Sequence, residues 1–223
     1  MRNIVGGVFL SLDGVMQAPG GPTEDYTGGF ENGGWLFAMG DDGIDAAIGA
    51  LFGRPDDLLL GRRTYDIFAA YWPYVEGEAA AMGEAFTTAN KYVLTRGSQP
   101  LDWANSHRLG SVADVAALKQ GEGPDLIIQG SGTIYPALLA AGLIDELTVM
   151  TFPLTLGRGK RLFGDGTPTT TLELTDHTVT ARGTVIATYR PGGALPPLPA
   201  DAPEPSTSER EVERQRRMRA GTW

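Results

Sequence analysis

Short apolar runs alternate along the chain with stretches of helical spacing, and the two periods separate strands from helices. Ile4-Val5-Gly6-Gly7-Val8-Phe9-Leu10 is a continuous apolar run that reads as a first strand and ends at Ser11-Leu12-Asp13-Gly14. Leu58-Leu59-Leu60 shows no alternation, as expected of a strand covered on both faces. Residues 91–95, 125–129 and 145–155 read as further strands. Between them, Ile44, Ala47, Ile48, Leu51 and Phe52 fall at helical spacing behind a capping Asp42. Helices are also expected after Gly61, over 78–88, over about 111–120, and around Tyr135, Leu138 and Leu139. Strands that alternate with helices imply a mainly parallel sheet with helices on both faces. Residues 171–180 and 184–190 alternate polar and apolar at close range, which predicts an antiparallel pair at the sheet edge.

The pattern divides the chain into a domain over 1–190 and a tail over 191–223. The tail begins Pro- and Ala-rich, which reads as a flexible arm, and its charged segment 209–219 has room for a short helix. Within the domain, the segment after Gly14 is a long loop punctuated by Pro19-Gly20-Gly21-Pro22 and Gly28-Gly29. Loops of that length inside a domain often serve as lids or substrate walls.

Composition narrows the chemistry. The 223 residues include no cysteine and only two histidines, His107 and His177. Disulfides, thiol nucleophiles and cysteine-ligated metals are excluded, and little is left for a histidine metal site. A net charge of −9 argues against a nucleic-acid partner, which needs a basic face. No window approaches the roughly 20 apolar residues of a membrane span, and the first strand lacks a cleavage site, so the cytoplasm is the expected address.

Ligands of open α/β sheets bind beyond the carboxyl ends of the strands. Three strand ends here carry related punctuation: Gly61-Arg62-Arg63-Thr64, Thr95-Arg96-Gly97 and Gly130-Ser131-Gly132-Thr133. Glycine lets backbone approach a pyrophosphate, helix N-termini offer unpaired N–H groups, and arginine adds forked phosphate contacts. The three together point to a dinucleotide, although the G-x-G-x-x-G fingerprint is absent after the first strand. No G-x-S-x-G elbow and no cysteine-dependent deaminase signature occurs. Asp13-Gly14 reads equally as a turn or as a catalytic carboxylate. Asp41, Asp42 and Asp45 read equally as first-turn residues favoured by the helix dipole.

Gly61-Arg62-Arg63-Thr64-Tyr65 resembles the Gly-Arg-x-Thr-aromatic motif of dihydrofolate reductases, and 129–135 resembles their glycine-rich cofactor turn. Ser11-Leu12-Asp13-Gly14, Asp145-Glu146-Leu147 and the stretch 153–163 resemble the reductase domain of the bifunctional riboflavin-biosynthesis deaminase-reductase and its free-standing relatives. The likeness runs in order over about residues 1–190. It implies a three-layer dihydrofolate-reductase-like fold and an NADPH-dependent oxidoreductase acting on a small molecule, with no nucleic-acid or membrane partner and with homodimerisation. By that resemblance Gly61, Arg62, Arg63 and Thr64 hold cofactor phosphates, and Thr95 and Arg96 face the adenosine 2′-phosphate. Gly130, Ser131, Gly132, Thr133 and Ile134 run along the pyrophosphate and nicotinamide, with Ser131 standing where dihydrofolate reductases carry a third glycine. Asp13 and Asp45 are the candidate catalytic carboxylates, and Trp35 and Tyr65 the candidate walls of a flat substrate pocket. The implied activity is closest to 5-amino-6-(5-phosphoribosylamino)uracil reductase. The alternatives are a dihydrofolate reductase proper and a non-catalytic nucleotide-binding module.

Overall fold

The computed structural model describes residues 1–164, 166–204 and 206–222. Among these residues eight strands form one sheet in the order β4-β3-β2-β5-β1-β6-β8-β7. They are β1 (Ile4–Ser11), β2 (Asp57–Gly61), β3 (Lys91–Leu94), β4 (Ser106–Leu109), β5 (Leu126–Gln129), β6 (Glu146–Phe152), β7 (Thr171–Val179) and β8 (Val185–Gly193). The first six run parallel, while β8 pairs antiparallel with β6 and β7 with β8. The antiparallel pair expected at the edge is therefore present.

Among the described residues seven α-helices accompany the sheet: α1 (Trp35–Met39), α2 (Asp42–Phe52), α3 (Arg62–Tyr71), α4 (Ala80–Thr88), α5 (Val112–Gln120), α6 (Tyr135–Ala140) and α7 (Glu209–Arg219). The core falls into two layers. Ile44, Phe52, Tyr65, Phe68 and Phe86 from α2, α3 and α4 pack with Trp35 and Leu36 of α1 against one face of the sheet. Val115, Tyr135 and Leu138 from α5 and α6 cover the other. Leu58, Leu59 and Leu60 are each fully buried between the layers, which is why their run shows no alternation. Gly6 and Gly7 allow both layers to close on β1. A Cβ on Gly6 would meet Leu147 and Tyr135 at 2.8 Å, and one on Gly7 would meet Leu51 at 2.5 Å.

Local chemistry sets the helix ends. Asp41, not Asp42, caps α2, its carboxylate accepting the Ile44 N–H at 3.0 Å. Asp41 also accepts the Arg182 N–H at 3.0 Å, which ties the start of α2 to the β7–β8 turn. Ser111 and Asp114 form a reciprocal capping box on α5. In the tail, Ser208 caps α7, and Arg214 and Arg216 pair with Glu211 and Glu213 one turn away.

Topology fixes where a ligand can sit. The chain leaves β1 and passes over β5 to reach β2, whereas from β5 it crosses β1 to reach β6. Strand order reverses between β1 and β5, and a crevice opens at such a point beyond the strand ends. All three glycine-bearing turns, two of which carry arginine, lie at that end of the sheet. Among the described residues no helix is long and apolar enough to cross a membrane.

Candidate cofactor and substrate site

The turn after β5 is built on left-handed backbone. Gly130 has φ +66° and Ser131 φ +57°. Glycine takes this conformation freely, whereas another L-residue costs roughly 1–2 kcal/mol. Ser131 is held there by hydrogen bonds on both sides. Its hydroxyl accepts the Gly61 N–H at 3.0 Å, and its own N–H donates to the Thr64 hydroxyl at 2.9 Å. The serine that departs from the expected third glycine thus links the end of β2 to the end of β5. A Cβ on Gly132 would fall 2.6 Å from the Met16 sulfur, so this turn also lies close against the segment following β1.

That link joins the turns after β2 and β5 directly, and the turn after β3 lies at the same end of the sheet. Helix α3 starts at Arg62 directly after β2, so its first-turn N–H groups open at the strand end. Arg63 and Arg96 are exposed and make no ion pair or side-chain hydrogen bond among the described residues. Thr95 accepts the Gly97 N–H at 3.1 Å, which shapes the turn that carries Arg96. Thr133 is exposed beside the turn, and Ile134 is buried, its Cγ2 lying 3.2 Å from where a Gly61 Cβ would be.

Arg62 is committed elsewhere. Its Nε lies 2.9 Å from the Asp66 carboxylate, and its Nη1 donates to the Gln99 and Pro100 carbonyls at 2.9 and 3.0 Å. It braces the segment after β3 against α3, and Arg63 is the arginine of this motif left open to a ligand.

The carboxylates separate. Asp13 accepts hydrogen bonds from the Ser11 hydroxyl at 2.6 Å and from the N–H groups of Leu156 and Gly157 at 3.1 and 2.8 Å. Those bonds, the serine's first, lower its pKa from 3.8 to about 2. It is ionised at neutral pH and clamps the loop after β6 to the end of β1, a structural task rather than proton donation. Asp45 is exposed on the first turn of α2 and makes no side-chain hydrogen bond among the described residues.

Trp35 and Tyr65, expected to line a flat pocket, are buried in the core instead. The Trp35 indole donates to the Gln17 carbonyl at 2.8 Å and packs edge-on against Phe152. The Tyr65 hydroxyl accepts the Trp103 N–H at 2.9 Å. Each has its polar atom satisfied inside the fold and offers no open ring face.

One residue of the stretch 129–135 was given no role of its own by the sequence. Gln129 ends β5 opposite Gly7 of β1, on the sheet face that α2 covers. Its Oε1 is buried without a hydrogen-bond partner among the described residues. Buried acceptors are usually paired, and this one sits at a strand end bordering the crevice, which makes it a candidate ligand contact. A glutamine closing an apolar strand run was the available signal.

Comparison with known proteins bears on this arrangement. The chain is 24% identical over 198 residues to the uncharacterized protein YyaP of Bacillus subtilis (strain 168), spanning 86% of this chain and 96% of YyaP. A solved protein from Shewanella sp. PV-4, whose name assigns it to riboflavin biosynthesis, superposes with TM-score 0.62 at 23% identity, covering 86% of this chain and 99% of that one. Dihydrofolate reductase from Enterococcus faecalis, solved with NADP(H), superposes with TM-score 0.54 at 15% identity, covering 85% of this chain and 96% of that one. These neighbours share the dihydrofolate-reductase-like fold. Residues 2–186 match the model of the RibD C-terminal domain, and with the match spanning nearly all of the sheet, the chain belongs to that family.

Proposed function

We propose that this protein is an NADPH-dependent reductase that transfers hydride to a small heteroaromatic, imine or carbonyl substrate. The reading is carried by the turn at Gly130 and Ser131, which joins the ends of β2 and β5 beside two unpaired arginines. Backbone N–H groups at the start of α3, with Arg63 and Arg96, fit a dinucleotide bearing an extra phosphate. Bound there, the cofactor supplies a hydride.

The chain's own residues do the rest. Gln129 holds a buried amide oxygen at the end of β5 with no partner among the described residues, and a substrate N–H that reached it on binding would be favoured over ligands that lack the donor. Asp13 keeps the Leu156–Gly157 segment in place as a carboxylate. Asp45, on the exposed first turn of α2, is the remaining candidate for passing a proton from solvent.

The activity closest to this reading is reduction of 5-amino-6-(5-phosphoribosylamino)uracil. The test is complementation of a strain lacking that reductase, alongside NADPH oxidation with the same substrate in vitro. Growth and turnover are expected. Soluble protein that neither rescues growth nor oxidises NADPH with this substrate would remove the riboflavin assignment.

A further inference from the structure

In a chain of net charge −9, the partners of each cation are informative. Over residues 1–190 most cations are engaged: Arg2 with Asp57, Arg54 with Asp56 and Asp125, Lys119 with Asp145, Lys160 with Asp25, Arg190 with Glu146. Lys91 and Arg108 donate to backbone carbonyls. Among the described residues of this part, Arg63, Arg96 and Arg158 are exposed with neither an ion pair nor a side-chain hydrogen bond. The first two stand at the ends of β2 and β3, where the proposed cofactor accounts for them. Arg158 follows β6, across β1 from both, and the cofactor does not account for it.

Beside Arg158 lies a cavity of about 250 Å³ between the loop after β1 and the loop after β6, lined also by Gln17, Thr27, Phe30 and Lys160. Its floor is built. Gln17, 5% exposed, donates to the Asp25 and Thr27 carbonyls, each at 2.9 Å, and accepts the Lys160 N–H at 3.0 Å. The Lys160 ammonium bonds the Asp25 carboxylate and the Thr27 hydroxyl. Phe30 forms a wall that closes because Gly159 has no side chain: a Cβ there would lie 2.4 Å from Val15 and 3.1 Å from the Phe30 ring. Asp25 balances Lys160, so Arg158 leaves one positive charge uncompensated at the cavity.

We propose that Arg158 anchors a small oxyanion, a carboxylate or phosphate, in this cavity, at a site distinct from the cofactor turn. The two sites are neighbours through one residue. Met16 donates its N–H to the Lys160 carbonyl at 2.8 Å and meets Gly132 on its other side. The oxyanion is therefore either free or a substituent of the reduced substrate, and the second source rests on the reductase reading.

The test titrates the isotope-labelled full chain with inorganic phosphate, and separately with glycerol 3-phosphate against glycerol, following backbone amide resonances. Shifts are expected at residues 27–29 and 157–160. Affinity should fall about tenfold in Arg158→Gln, as for loss of a charge-assisted pair, and hold in Arg190→Gln, whose arginine pairs with Glu146 on the far side of β6 from the proposed cofactor turn. Tighter binding of glycerol 3-phosphate than of phosphate supports the site as one for an organic substituent, and equal binding supports it as one for a free ion. Shifts confined to 61–64 and 130–134, or an Arg158→Gln variant that titrates like the parent, would overturn the proposal. NADPH affinity of Arg158→Gln, measured in parallel, should match the parent. A chain that takes phosphate at Arg158 but no NADPH would sink the reductase reading alone.

Discussion

Asp13 illustrates how one side chain can hold two loops at the edge of a site. Its carboxylate takes three hydrogen bonds from Ser11, Leu156 and Gly157, and Arg161 stands 3.7 Å away. The pKa falls from 3.8 to about 2, so the unfolded chain binds this proton more readily than the folded one. Its stabilisation is complete above the unfolded value and drains away as pH drops through the folded one. An Asp13→Ala variant should therefore melt below the parent at neutral pH, with the gap narrowing between pH 3.8 and about 2. A gap of constant size across that range in thermal melts would contradict the assigned clamp. At Ser131 a non-glycine residue in left-handed backbone is tolerated because its hydroxyl and N–H both find partners at the end of β2.

Elements meet through buried polar groups as well as through the apolar core. Lys91 on β3 is fully buried, its ammonium donating to the Phe86 and Thr87 carbonyls at the end of α4 and lying 4.3 Å from the Trp103 ring centre. A cation at a helix C-terminus is favoured by the helix dipole, yet burial lowers its pKa from 10.5 to about 8. Here the unfolded chain binds the proton more strongly over that interval, so the lysine's contribution improves as pH climbs from about 8 towards 10.5. The melting difference between Lys91→Met and the parent should shift in the parent's favour across that interval. A pH-independent difference would show that the ammonium carries no such penalty. Sequence pattern revealed most elements because β2 and β5 are short continuous apolar runs and α2 has a clear helical period. It missed β4, an edge strand whose Ser106-His107-Arg108-Leu109 carries little apolar signal, and the five-residue α1 inside the loop. Pattern alone did not decide whether Trp35 and Tyr65 line a pocket or the core, because an aromatic in the first turn of a helix has the same spacing in either case.

At the scale of the whole molecule, the reversal of strand order between β1 and β5 gathers the informative turns at one end of the sheet. Gly61-Arg62-Arg63-Thr64 and Gly130-Ser131-Gly132-Thr133 were legible as separate motifs, and their direct linkage required the fold. Gln129 and Arg158 needed it too, since an orphan acceptor or an unpaired cation is defined by its surroundings. On the proposed reading, this end of the sheet takes NADPH, with Arg63 and Arg96 reading its phosphates. The most direct measurement is a titration of the purified chain with NADPH and with NADH, followed by tryptophan quenching, in the parent and in Arg63→Gln and Arg96→Gln variants. NADPH should bind well below micromolar and much more tightly than NADH, and each substitution should weaken NADPH about tenfold or more through loss of a charge-assisted phosphate contact. Binding of neither nucleotide, or NADPH affinity indifferent to both substitutions, would contradict it.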